Sequence, residues 1–282
     1  MTWLFEPGLW SSQPVHTAAL LGALVAAVSA LVGVFTVIRG QSFAGHALTD
    51  VSTAGGSGAV LVSANPVVGF VGAGLVGAAA MEVIGIRRVR GRDLATGIVL
   101  GASIGLAALF LHFTAMSTAA SGAAQHILFG SIFATQPSTV PLVALFGVAS
   151  VGILVVVYRP LLLSSVSDDV AAARGVPVRW VGLLFMLALA TAVGLSSLAI
   201  GSILSTALLV GPAATALRLT RRLGWALVVA AAVGVGGTWL GVVLAYDSYY
   251  WGAGRQGVPV SFFIVAVLFA AYLAASAVPG RR

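Results

Sequence analysis

The sequence predicts an all-α membrane protein, a polytopic bundle of about nine transmembrane helices, with eight possible. Three observations predict it. Apolar residues make up 60% of the 282 and charged residues only 7%, against about 25% charged in soluble domains. The apolar residues fall into runs near the roughly 20 residues that cross a bilayer. The charges collect in the short gaps between those runs. Residues 1–282 therefore read as one transmembrane domain that needs a lipid bilayer. The chain has no cysteine, which excludes a disulfide framework and a thiolate metal site.

Residues 1–15 carry no basic region and contain Glu6, Pro7 and Pro14. They read as a polar lead-in, not as a cleaved signal. The apolar runs are then 17–38, 46–63, 66–86, 94–116, 138–158, 180–198, 200–217, 224–246 and 258–278. The second is the weakest, because it holds Asp50, several Ser and Thr, and Gly55-Gly56. The sixth and seventh are short and separated only by a turn. Fusing them as a hairpin leaves the sidedness of the rest unchanged. Gly97, Gly101 and Gly105 recur every four residues and share a helix face, as do Gly237 and Gly241. Small residues in lipid let helices approach closely, so both faces are expected to pack in the bundle.

Arginine supplies all the basic charge, since the chain has no lysine. Arg39 follows the first run, and Arg87, Arg88, Arg90 and Arg92 follow the third. Arg159, Arg174 and Arg179 lie between the fifth and sixth, Arg218, Arg221 and Arg222 follow the seventh, and Arg281 and Arg282 follow the ninth. With the N-terminus outside and the C-terminus cytoplasmic, thirteen of the fourteen face inward and only Arg255 faces out. That is the positive-inside rule. It accounts for the net charge of +7 without a nucleic-acid partner. The expected location is the inner or plasma membrane, multi-pass. No G-x-x-x-x-G-K-[ST] loop is present, so the chain is expected to lack its own ATPase site and to be no enzyme by itself. No H-E-x-x-H of a zinc protease is present either.

The longest inward gap runs from Tyr158 to Arg179. Ser167 and Asp168 suit a helix cap, and Asp169 suits the positive end of a helix. Ala171, Ala172 and Ala173 favour helix. Gly175 suits a left-handed helix stop, and Pro177 blocks continuation. A short capped helix is expected near 167–176, at the cytoplasmic surface. It is either an ordinary loop or a docking element for a cytoplasmic motor.

Several segments, in order, resemble the permeases of manganese-, zinc- and iron-type ABC transporters. Asp168-x-x-Ala171-x-x-x-Gly175-Val176-x-Val178 is similar to that family's loop. Gly201-Ser-Ile-Leu-Ser-Thr-Ala-Leu-Leu-Val-Gly-Pro-Ala-Ala-Thr-Ala216 is similar to its leucine-rich run ending in Pro-Ala-Ala-x-Ala. Arg39-Gly-Gln-Ser-Phe-Ala-Gly-His-Ala-Leu-Thr-Asp50 resembles the segment after its first helix. Leu128-Phe-Gly-Ser-Ile132 resembles a short outer segment, and Gly257-Val-Pro259 stands where the family has Pro-Thr-Gly. The resemblance covers nearly the whole chain. It implies an importer permease paired with two cytoplasmic ABC ATPase subunits, which bind the ATP. A second permease copy would complete the membrane part. An extracytoplasmic metal-binding lipoprotein or periplasmic protein would deliver the ion. Asp168, Asp169, Ala171, Ala172 and Gly175 would form the coupling helix. No tightly bound cofactor is implied; the divalent metal ion is the cargo. The family usually reads Gly-Asp-Ala-x-Ser-His where this chain reads Gly45-His46-Ala47-Leu48-Thr49-Asp50, so Asp and His have exchanged places.

Ionisable groups inside a membrane are costly and often functional. His46 and Asp50 are four apart and share a helix face, and imidazole and carboxylate suit zinc, iron and manganese. One pair supplies two ligands, and two chains about a twofold axis would supply four. The predicted topology puts the pair one to two turns from the cytoplasmic face. The competing reading is that the two bond each other or cap a helix. His112 and His126, near the outer side, are further candidates to touch an entering ion, or are structural. Glu82 is expected to pair with Arg87 or Arg88. Asp247, with Tyr246, Tyr249, Tyr250 and Trp251, reads as an outer aromatic belt and a contact for the delivery protein. Two alternatives stand beside the metal-ion importer: a related permease for a metal chelate such as a siderophore or haem, and an ion-coupled secondary transporter without a motor.

Overall fold

The computed structural model describes residues 12–84, 89–116, 123–130, 132–251 and 257–277. The long helices are α1 (Gln13–Ile38), α2 (Ser42–Leu61), α3 (Pro66–Ile84), α4 (Val89–Met116), α6 (Val140–Val166), α8 (Val178–Ile200), α9 (Ser202–Leu219), α10 (Leu223–Trp251) and α11 (Val260–Ala277). Two short ones stand between them, α5 (Ala123–Phe129) and α7 (Asp168–Ala173). Each of the nine apolar runs is one long helix. Eight of these are long and apolar enough to cross a membrane, and α2 is not among them. Its hydroxyls and Asp50 lower its hydropathy, as its sequence predicts. The chain is a multi-pass membrane protein.

Local chemistry sets the helix ends. Pro14 sits in the first turn of α1, where its missing N–H costs nothing. At the other end Gly40 takes φ +63°. The Gly40 N–H donates to Val37 O at 3.1 Å and the Gln41 N–H to Thr36 O at 2.9 Å, a Schellman stop. Asn65 caps α3, its Oδ1 accepting from the Val67 N–H at 2.9 Å. The loop before α8 forms as its residues predict. Ser167 Oγ accepts from the Val170 N–H, Asp168 and Asp169 fill the first turn of α7, and Gly175 takes φ +78°. The Gly175 N–H then donates to Ala172 O and the Val176 N–H to Ala171 O, a second Schellman stop.

The bundle is organised around α8, which packs against α1, α2, α3, α6 and α9. Phe35, Leu48, Phe185, Leu189 and Leu209 fill one half of the core. Leu21, Leu195, Ile200, Leu208 and Ile264 fill the other. Hydroxyls join helices inside it. Ser29 Oγ lies 2.6 Å from Ser196 Oγ, and Ser150 Oγ donates to Ala188 O at 2.9 Å. Such bonds hold helices where no apolar driving force exists between them.

The two glycine faces behave differently. Gly237 and Gly241 of α10 lie against Leu268 and Ile264 of α11, so close that a methyl group would collide. The face of α4 expected to pack in the bundle does not. Among the described residues, no atom of another helix lies within 4 Å of where a Cβ would stand at Gly97, Gly101 or Gly105. The reason is rotational. α4 turns Thr96, Ser103, Ala107 and Thr114 inward, and its glycines occupy the opposite side.

A backbone junction fixes the end of α5. Gly130 and Gly201, at φ +82° and +87°, lie back to back, so that a Cβ on either would meet the backbone of the other's segment. Ser261 Oγ adds a bond to Phe129 O at 2.8 Å. The α5 segment, the α8–α9 corner and the start of α11 are thus packed against one another.

Candidate metal pathway

The site is built on α2, which is enclosed by α3, α4, α8 and α9. Three of its four buried hydroxyls turn back onto their own helix, Ser52 being the exception. Thr49 donates to Gly45 O at 3.1 Å, Thr53 to Thr49 O at 2.8 Å and Ser57 to Thr53 O at 2.8 Å. Hydroxyls satisfied in this way can be buried at little cost.

His46 and Asp50 fall on one face of α2 as their spacing predicts. His46 is exposed and Asp50 half-buried, so this chain leaves the pair open on one side. The imidazole also has a partner on another helix. His46 Nδ1 lies 3.2 Å from Thr206 Oγ1 of α9. Beside it, Ser205 Oγ donates to Thr49 Oγ1 at 3.2 Å. With Nδ1 engaged by a hydroxyl, Nε2 is the nitrogen left for a ligand, an outer-shell arrangement common at metal-binding histidines.

Thr206 and Ser205 were missed by sequence reasoning. The available signal was the polar pair Ser205-Thr206 inside an apolar span, but its partner on α2 is 160 residues away.

Thr206 stands 13 residues before Leu219, the end of α9 that carries Arg218, a rise of about 20 Å. On its own helix His46 lies in the second turn of α2, close to the Arg39 end of α1. Gln41, in the turn between the two helices, is only 7% exposed.

The remaining candidates stand apart. His126, on α5, is exposed and lines both a cavity of about 480 Å³ with Tyr246, Tyr249, Tyr250 and Pro259 and a neighbouring one with Asn65 and Gln136. His112 is exposed on α4 beside Phe113. Among the described residues no three His, Asp or Glu side chains come together. The rings of Tyr249, Tyr250 and Trp251 are exposed as a belt requires, but Asp247 is fully buried and cannot face a delivery protein. The Glu82 carboxylate lies beside Gly182 of α8; Arg87 and Arg88, its expected partners, lie outside the described residues. On α7, Asp168, Asp169, Ala172 and Gly175 are exposed, while Ala171 is fully buried and anchors the helix.

Residues 11–278 match the ABC 3 transport family. The chain belongs to that family. Like other ABC 3 members it is a permease subunit, which sets aside the motor-free secondary transporter. It is 31% identical over 272 residues to the manganese transport system membrane protein MntC of Listeria monocytogenes, covering 95% of this chain and 94% of that one. It is 28% identical over 260 residues to the chelated iron transport system membrane protein YfeC of Yersinia pestis, covering 90% and 85%. Its fold is that of PsaBC from Streptococcus pneumoniae, solved in complex with a Fab. There the TM-score is 0.81 and the identity 24%, over 96% of this chain and 94% of that one. The family is the one that the loop at Asp168–Gly175 and the run at Gly201–Ala216 resemble.

Proposed function

We propose that this ABC 3 permease imports a divalent transition-metal ion, manganese, zinc or iron, past His46 and Asp50. The observation that carries the reading is the open His46–Asp50 pair on an otherwise enclosed helix. A mixed imidazole–carboxylate pair fits those metals. Two ligands fall short of the four that a transition metal commonly takes, and the open side leaves room for a second copy to supply the others about a twofold axis. The likeness to a manganese permease over nearly the full chain supports the same cargo class. The exchange of Asp and His relative to the family's usual order keeps both groups on that face, one turn apart.

In this reading the arginine-bearing ends face the cytoplasm and the N-terminus faces out. ATPase subunits dock on the exposed surface of α7, at Asp168, Asp169, Ala172 and Gly175, and Ala171 holds that helix to the bundle. ATP binding between those subunits moves α7, and the bundle alternates access to the pair. A metal-binding lipoprotein or periplasmic protein supplies the ion from outside, near His126 and the aromatic cavity. The chain itself hydrolyses no ATP.

A second reading, import of a metal chelate, is favoured by the likeness to a chelated-iron permease. A chelate needs a wide path and no ligands, which argues against it here. Vesicles containing the chain, its ATPase and its binding protein test both readings, with uptake of Mn²⁺, Zn²⁺, Fe²⁺ and a ferric chelate compared. His46→Ala and Asp50→Ala are expected to abolish uptake of the free ion without loss of the ATPase subunits. Wild-type uptake in both variants refutes the metal pathway.

A further inference from the structure

Arg39 joins the end of α1 to the base of α6. Its Nη1 donates to Ser164 Oγ at 2.8 Å and reaches Ser165 Oγ at 3.4 Å. Its guanidinium lies 5.7 Å from the Phe185 ring of α8. One turn earlier, Phe35 meets Tyr158 of α6 edge-on, with ring centres 5.7 Å apart. The positive-inside rule explains an arginine at this position, but not three helices meeting at its side chain.

What lies on either side of this contact gives it meaning. Ser164 and Ser165 form the last turn of α6, and Ser167 caps α7 two residues later. On the other side, Gly40 follows Arg39 at φ +63°, with open space where a Cβ would stand. The turn is held by its own backbone bonds, Gly40 N–H to Val37 O and Gln41 N–H to Thr36 O. α2 begins at Ser42 and carries His46 in its second turn. α1 and α2 make little direct contact with each other. A displacement of α6 and α7 thus reaches the start of α2 by way of Arg39 and the Gly40 turn.

We infer that Arg39 is a positioning residue that couples movement of α7 to α2 and its His46–Asp50 pair. The inference rests on the proposed importer reading. Arginine suits the task better than lysine, because its planar guanidinium can lie against the Phe185 ring while Nη1 meets the two hydroxyls. An arginine that merely anchored α1 at the membrane surface would not alter how much metal moves per ATP.

The test uses the full complex in vesicles, with metal uptake and phosphate release measured together for Mn²⁺, Zn²⁺ and Fe²⁺ in turn. Arg39→Gln and the double variant Ser164→Ala/Ser165→Ala are expected to keep their ATPase subunits and hydrolyse ATP. Metal taken up per ATP is expected to fall about tenfold, within the range that coupling residues show. Arg39→Lys is expected to restore part of that ratio. A wild-type ratio in either variant overturns the inference, and so does a parallel loss of hydrolysis and uptake in the serine variant. If Arg39→Gln does not assemble, the serine variant decides, since it removes only two hydroxyls. No uptake by the wild-type complex overturns the importer reading and the inference together. Wild-type uptake matched by the variants overturns the inference alone.

Discussion

Replacing Gly201 with alanine strikes the junction of α5, α8 and α9 at its tightest point. Gly201 has φ +87° and ψ 158°, a region open essentially to glycine, and forcing another residue there costs about 2 kcal/mol. The added methyl would also meet Leu128 O, the Gly130 nitrogen and the Phe129 carbonyl carbon. These are backbone atoms of a segment that Ser261 also holds, so no side chain can swing aside. Overpacking of that kind costs about 2 kcal/mol more. The sum of about 4 kcal/mol corresponds to a fall in Tm of about 7 °C for a chain of this size. Gly175→Ala is the control. It has φ +78° but no atom within 4 Å, so only the left-handed conformation opposes it, and Tm should fall by at most about 3 °C. Scanning fluorimetry of the detergent-purified chain measures both. Equal shifts would refute the reasoning, because backbone crowding is what separates the two sites.

Three other outcomes follow from the same contacts. Thr206→Val removes the hydroxyl that meets His46 Nδ1. It should raise the metal concentration needed for half-maximal uptake about tenfold, with little change in maximal rate. Ser167→Ala removes the cap of α7 at a cost of about 1 kcal/mol; hydrogen exchange at residues 170–173 should quicken while the core helices keep their protection. Gly101→Leu places a side chain where this chain has nothing within 4 Å. The Tm of the isolated chain should not fall, and a clear drop would show that the α4 face packs within the chain after all.

The parts legible in the sequence are those governed by near neighbours. Each of the nine helices is an apolar run, because crossing lipid imposes length and composition locally. The ends of α7 are equally local, since Ser167, Gly175 and Pro177 act within one or two turns. The partner of His46 was not legible, because Thr206 stands on α9, 160 residues away. The glycine spacing in α4 showed which residues share a face, but not which way the face points. That is decided by how α2 and α4 meet. Asp247 misled for a similar reason. Its place among exposed rings gave no sign that α10 turns it inward.

The composition of α2 bears on how the chain enters the membrane. Asp50 is the ninth residue of a 20-residue helix, and an aspartate at such a central position opposes insertion by about 3 kcal/mol. The insertion machinery judges segments as they emerge, and this one fails on its own merits. It has to be accepted in company, with α3 and α4 arriving to enclose it. Biogenesis of this chain is then not a simple procession of independent hairpins. The helix that carries the proposed ion-binding pair is the one that needs its neighbours to hold its place.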